Sequence, residues 1–177
     1  MGSDGAAQVG PIRLTFGATG ERGIVGLGLR GVEPREVDGL AFQAAGEAAP
    51  PAEHPAGVVA VDHVVVSTPD LERTFAALEG AGFELRRVRE AGPTARQGFY
   101  VLGDAVLEVV GPREPEGDGP AVFWGLVLVA GDLDRTAAEL GSLLGTPRDA
   151  VQPGRRIATV GREAGLGTAV ALMTPRS

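Results

Sequence analysis

The feature that most constrains this fold is an internal repeat. Residues 62–78 read DHVVVSTPDLERTFAAL, and residues 124–140 read WGLVLVAGDLDRTAAEL. At an offset of 62, Asp70, Leu71, Arg73 and Thr74 fall on Asp132, Leu133, Arg135 and Thr136, while Val64 and Val66 fall on Leu126 and Leu128. A repeat of this length implies two copies of one supersecondary module.

Each copy follows one physical logic. The β-branched and apolar runs Val64–Val66 and Leu126–Val129 predict buried strands. A helix follows each. In the first copy Thr68 can cap it, Pro69 suits its first turn and Asp70 complements its dipole. Leu71, Phe75 and Leu78 then recur at helical spacing, as do Leu133, Ala137 and Leu140. Gly80, Gly82, Gly141 and Gly145 are placed to end these helices. Strands are predicted at Phe83–Arg89, Gly98–Leu102 and Ala105–Val110, the last two a hairpin about Gly103-Asp104. In the second copy they are predicted at Arg156–Val160 and Thr168–Met173, around a turn near Gly161–Gly167. Pro112–Pro120 reads as a linker.

The first sixty residues are less regular. Arg13–Phe16 and Ile24–Leu29 read as short strands, Pro34–Phe42 as a helix, and Ala45–Gly57 as a linker. A shift of 37 lays Ile24–Leu29 and Glu33–Ala41 over the strand and helix of the first copy, a degenerate third unit. Gly17–Gly23 (GATGERG) mimics a dinucleotide fingerprint. That motif must open a helix, and the Gly-interspersed Ile24–Leu29 is a poor one, so a loose turn is expected.

Composition prunes the chemistry. The chain lacks Cys, Lys and Asn, so all sixteen basic residues are Arg. Thiolate nucleophiles, zinc-thiolate sites and Schiff-base lysines are excluded. A net charge of −7 with no basic block argues against nucleic acid and anionic membrane as partners. The opening Met1–Gly5 has neither the cationic start nor the apolar run of a signal peptide, and no stretch is long enough to span a bilayer. A cytoplasmic location is expected.

Asp62-His63-Val64-Val65-Val66 with Thr68-Pro69-Asp70-Leu71, then Gly98–Asp104, then Leu107-Glu108-Val109-Val110, resemble a half-module of the vicinal oxygen chelate (glyoxalase, bleomycin resistance, extradiol dioxygenase) superfamily. The resemblance covers residues 59–112 well and 121–175 moderately. It implies an α+β fold of paired βαβββ half-modules, forming a curved mixed sheet around a cavity, with an extra N-terminal βα segment. The expected boundaries are 1–58 for the N-terminal unit and linker, 59–112 and 121–177 for the modules, and 113–120 between them.

In that superfamily a His on the first strand and a Glu on the last strand of each half typically bind a divalent metal. Here His63 and Glu108 match, but their second-half counterparts are Gly125 and Ala171, which cannot. The residues alone name no cofactor; a divalent metal is what the resemblance implies. His54, the only other His, lies in the linker as a candidate third ligand.

Three readings of His63 and Glu108 stay open: a structural pair, a polar hook for a non-metal ligand, or a metal site. In a desolvated cavity Glu108 would serve as a catalytic acid or base. Phe99, Tyr100, Phe123 and Trp124 are candidates to line a ligand cavity, and Arg96, Arg155 and Arg156 to hold a ligand carboxylate. The leading expectation is a glyoxalase-like protein binding a small organic or apolar ligand. The alternatives are a metal-dependent lyase, isomerase or dioxygenase using His63 and Glu108, and a non-catalytic structural or regulatory module. The resemblance also implies sheets that pair across chains, which makes a homodimer an expectation.

Overall fold

The computed structural model describes residues 6–17, 22–47, 50 and 54–176. Five short strands come first: β1 (Ala6–Val9), β2 (Ile12–Thr15), β3 (Leu27–Leu29), β4 (Arg35–Val37) and β5 (Leu40–Ala44). Then follow β6 (Val58–Ser67), α1 (Leu71–Gly80), β7 (Leu85–Ala91), β8 (Ala95–Leu102) and β9 (Ala105–Pro112). The last group is β10 (Val122–Ala130), α2 (Leu133–Leu140), β11 (Arg148–Asp149), β12 (Arg156–Thr159) and β13 (Ala169–Met173). Strand, helix and three strands thus occur twice.

Those two groups supply one eight-stranded mixed sheet, ordered β11-β12-β13-β10-β6-β9-β8-β7. Each group has the same internal order: its first strand lies beside its last, then the third, then the second. Strands β6 and β9 run parallel, so the helix between them is the crossover that a parallel pair requires. By contacts the chain forms two compact units. One holds the described residues of 1–22, 48–62 and 126–177, the other those of 23–47 and 63–125.

In the second of these units α1 covers one sheet face. Its buried Leu71, Phe75 and Leu78 are the residues expected from their spacing, and Val64, Val66, Tyr100, Leu107 and Val109 are buried on the sheet. The packing is close enough to require a glycine: a Cβ on Gly98 would lie 2.3 Å from Cε1 of Phe75. The helix cap is Asp70 rather than Thr68, its carboxylate accepting from the Arg73 amide at 3.0 Å. Thr68 instead shares a 2.7 Å hydrogen bond with the Thr74 hydroxyl. The Thr68 hydroxyl also accepts from the Asp70 amide at 3.1 Å, at the helix entry. Gly82, at φ +88, turns the chain after α1.

The expected helix at Pro34–Phe42, and with it the N-terminal βα segment and the degenerate third unit, is not formed. These residues make the antiparallel pair β4–β5, with β3 parallel to β5. The cause is the Asp38-Gly39 dipeptide, with φ +50 and +87, a type I′ hairpin signal stronger than the helical spacing around it. The Asp38 carboxylate then accepts from the Thr74 hydroxyl and forms a 2.9 Å ion pair with Arg73, pinning this turn to α1. Phe42 of β5 packs against Phe83 at 4.8 Å and edge-on to Phe123 at 6.1 Å. The loose turn expected at Gly17–Gly23 falls largely outside the described residues.

In the other unit, α2 buries Leu133 and Thr136, and the Thr136 hydroxyl donates to the Ala56 carbonyl. Gly141, at φ +55, ends this helix as expected. The hairpin β1–β2 turns at Gly10, where a Cβ would sit 2.8 Å from the Val59 carbonyl. Val127, Ala171 and Met173 form a buried apolar cluster with Ala150 and Ile157 packed on it. Among the described residues no helix is long and apolar enough to cross a membrane.

Candidate functional site

Strand register decides which side chains share a face. On β9, Glu108 lies opposite Val65 of β6 and Phe99 of β8. His63 is two residues before Val65, so it shares their face. Gln97, two before Phe99, joins them, and on β7 Arg87 and Arg89 pair with Phe99 and Gln97. This is the face opposite α1, because Tyr100 and Gly98 meet Phe75 from the other side.

The polar residues on this face form a chain across four strands. His63 Nε2 is 3.6 Å from Glu108 Oε2, an ion-pair distance longer than a hydrogen bond. Gln97 Nε2 donates to Glu108 Oε1 at 2.6 Å, and Arg89 Nε donates to Gln97 Oε1 at 2.6 Å. The Arg89 guanidinium also stacks over the Phe99 ring, 5.0 Å from its centroid. His63 and Glu108 are 8% and 7% exposed, whereas Val65, Gln97, Phe99, Val106 and Val110 around them are only half-buried. Two titratable groups are therefore desolvated on a face that is otherwise partly open.

The sequence candidates divide accordingly. His63, Glu108 and Phe99 come together. Tyr100 does not: it is wholly buried under α1, its ring 6.3 Å from that of Phe75. Alternation along β8 forces this, since neighbours of Phe99 must face the other way. Burial, with the Glu79 charge added, pushes the Tyr100 phenol above its ordinary range. Phe123 packs on Phe42, and Trp124 is 57% exposed.

The three arginine candidates are each held by a carboxylate. Arg96 pairs with Glu72 at 2.6 Å and Arg156 with Asp134 at 2.8 Å. Arg155, buried, pairs with Asp62 at 2.8 Å and donates Nε and Nη2 to the Thr174 carbonyl. Of the three, Arg155 alone is buried with its carboxylate partner; the other two pairs are on the surface. Gln97 and Arg89 were not among the sequence candidates. Their signal was there in the strand period, because Gln97 stands two residues from Phe99.

The described residues offer a metal ion two charged or imidazole ligands on this face, His63 and Glu108. The spacing of His63 and Glu108 would suit a two-point grip, but two protein ligands hold a divalent ion weakly. Among the described residues no group of three or more His, Cys, Asp or Glu is placed to hold a metal. His54 Nδ1 accepts a 3.2 Å hydrogen bond from the Ala56 amide.

Paired βαβββ modules in one mixed sheet define the vicinal oxygen chelate fold, and this chain has it. Methylmalonyl-CoA epimerase from Mycobacterium tuberculosis is similar at a TM-score of 0.56 and 18% identity, over 70% of this chain and 93% of that one. A Streptomyces coelicolor methylmalonyl-CoA epimerase variant in complex with 2-nitronate-propionyl-CoA gives 0.54 and 18%, over 68% and 99%. The hypothetical protein BH1468 from Bacillus halodurans C-125 gives 0.54 and 11%, over 66% and 94%. At these identities the likeness is one of fold. No family model matches the sequence, and no curated protein matches it.

Proposed function

We propose that this chain is a small-molecule-binding protein in which the face carrying His63, Glu108, Gln97 and Phe99 receives a small organic ligand without a resident metal. One observation carries the reading: the first module keeps the buried pair His63 and Glu108, bridged by Gln97, where the second has Gly125, Ala171 and Ile157. Glu108 corresponds to Ala171, and the strand registers then match Gln97 with Ile157 and Val110 with Met173. The fold closes this face with aliphatic side chains in the second module, so nothing in the architecture demands the costly alternative. A buried carboxylate held by Gln97 is preorganised to accept a hydrogen bond from a ligand, and the half-buried Val65, Val106 and Val110 on the same face offer it apolar contact.

The test is metal analysis of untagged protein purified without chelators, paired with thermal-shift screening against small carbonyl compounds and apolar antibiotics. Ligand stabilisation without stoichiometric metal, lost in Glu108→Gln or His63→Ala, supports the reading. Stoichiometric Fe, Mn, Ni or Zn that disappears in His63→Ala overturns it.

A second reading draws on the similarity to methylmalonyl-CoA epimerases. In it Glu108 takes a proton from a carbon beside a carbonyl, His63 stabilises the charge that moves, and the proton returns to the same carbon. Its check is exchange of such a C–H for deuterium in D2O, lost in Glu108→Gln.

A further inference from the structure

We infer that the ligand of this face carries an anionic group, a carboxylate or a phosphate ester, on a small apolar body, and that Arg89 and Arg87 form its anion subsite. The inference rests on the reading that the Glu108 face is the ligand face.

Strand β7 ends the sheet order beside β8, and Arg87 and Arg89 project from it onto that face. They differ from the arginines nearest them in the sheet. Arg86, Arg96 and Arg113, on the same or adjoining segments, are each paired with a carboxylate: Glu84, Glu72 and Glu90. Acidic residues outnumber arginines 23 to 16, so partners are plentiful. Yet among the described residues neither Arg87 nor Arg89 has a carboxylate partner. Arg89 uses only Nε, on Gln97, and its stacking on Phe99 fixes the guanidinium plane with both Nη groups left to donate. A planar fork held in this way suits the paired oxygens of a carboxylate or phosphate.

The dimensions specify the rest. From β7 to β9 is two strand spacings, about 10 Å. A ligand anchored by its anion at Arg87 and Arg89 would therefore pass the edge of Phe99, whose face Arg89 covers, and bring its far end to Glu108. The opposite orientation would set two negative charges together on a desolvated face. Charge order along the chain thus fixes ligand polarity as well as class.

The experiment is calorimetric titration of the full chain with three probes that share a 2-phenylethyl body: 3-phenylpropanoate, 2-phenylethyl phosphate and the neutral 3-phenylpropanamide. Wild type is expected to bind at least one anion about tenfold tighter than the amide, with salt eroding the difference. Arg87→Gln with Arg89→Gln should remove that preference while amide binding persists. Exposed Arg87→Gln alone, and Arg89→Lys, cover the case in which the double variant does not fold. Equal binding of anions and amide, lost in His63→Ala, overturns the anion subsite and leaves the ligand face standing. A preference that survives loss of both arginines overturns it too. Failure of wild type to bind any probe at millimolar concentration counts against both.

Discussion

The two modules solve the same packing problem with different chemistry. On the first, the face opposite α1 carries His63, Glu108, Gln97 and Arg89 in a chain linked by two 2.6 Å hydrogen bonds and a 3.6 Å ion-pair contact. On the second, the corresponding positions are Gly125, Ala171, Ile157 and Arg148, and the first three offer no polar side chain. Val127, Ala171 and Met173 are instead buried together. The difference separates what the architecture needs from what has been added to it. A βαβββ module folds with an apolar face, so the polar chain is an elaboration, and elaborations that cost desolvation point to a ligand.

That contrast breaks most readily in the second module. Ala171→Glu would place a carboxylate in the Val127–Met173 cluster with no Gln97 equivalent to receive it. A loss of about 3 kcal/mol or more is expected, read from urea unfolding. A loss under about 1 kcal/mol would mean that this face is wetter than its burial indicates.

Next in size is Gly98→Ala, which tests the helix side of the first module. The added methyl meets the Phe75 ring, and a cost of about 1–3 kcal/mol is expected by the same measurement.

Converting the first module toward the second sharpens the comparison. In His63→Leu with Glu108→Leu, stability should hold within about 1 kcal/mol or rise, because apolar replacement of a buried polar pair is often neutral or favourable. Ligand stabilisation should vanish in the same protein. A large loss of stability would instead make the chain a structural element.

The smallest effect belongs to Tyr100, the only tyrosine. Its phenol is held neutral by burial, first, and by Glu79. The unfolded chain ionises near pH ~10, so this group's contribution to stability is intact below that pH and lost as pH rises toward the higher folded value. Ultraviolet titration of native protein should show no phenolate near pH ~10, and unfolding at that pH should release it. Native phenolate appearing there would place Tyr100 on the open face after all.

Much of this was legible in the residues. The offset repeat marked both strand-helix pairs, and Leu71, Phe75 and Leu78 are the buried face of α1. Gly103-Asp104 is the hairpin turn, with Leu102 opposite Ala105. At Pro34–Phe42 the expected helix gives way to Asp38-Gly39, a two-residue signal that decides the local backbone by itself. Tyr100 faces α1 and not Glu108, because side chains alternate strictly along β8.

Sequence by itself determined the modules, their helices and the identity of the one polar His–Glu pair, because periodicity and composition act locally along the chain. Only tertiary structure decided that Gln97 and Arg89 extend that pair and that Arg155 and Arg156 are engaged by Asp62 and Asp134. Partners of that kind meet through strand pairing and packing between residues far apart in the chain, and such distances are set by the folded backbone alone.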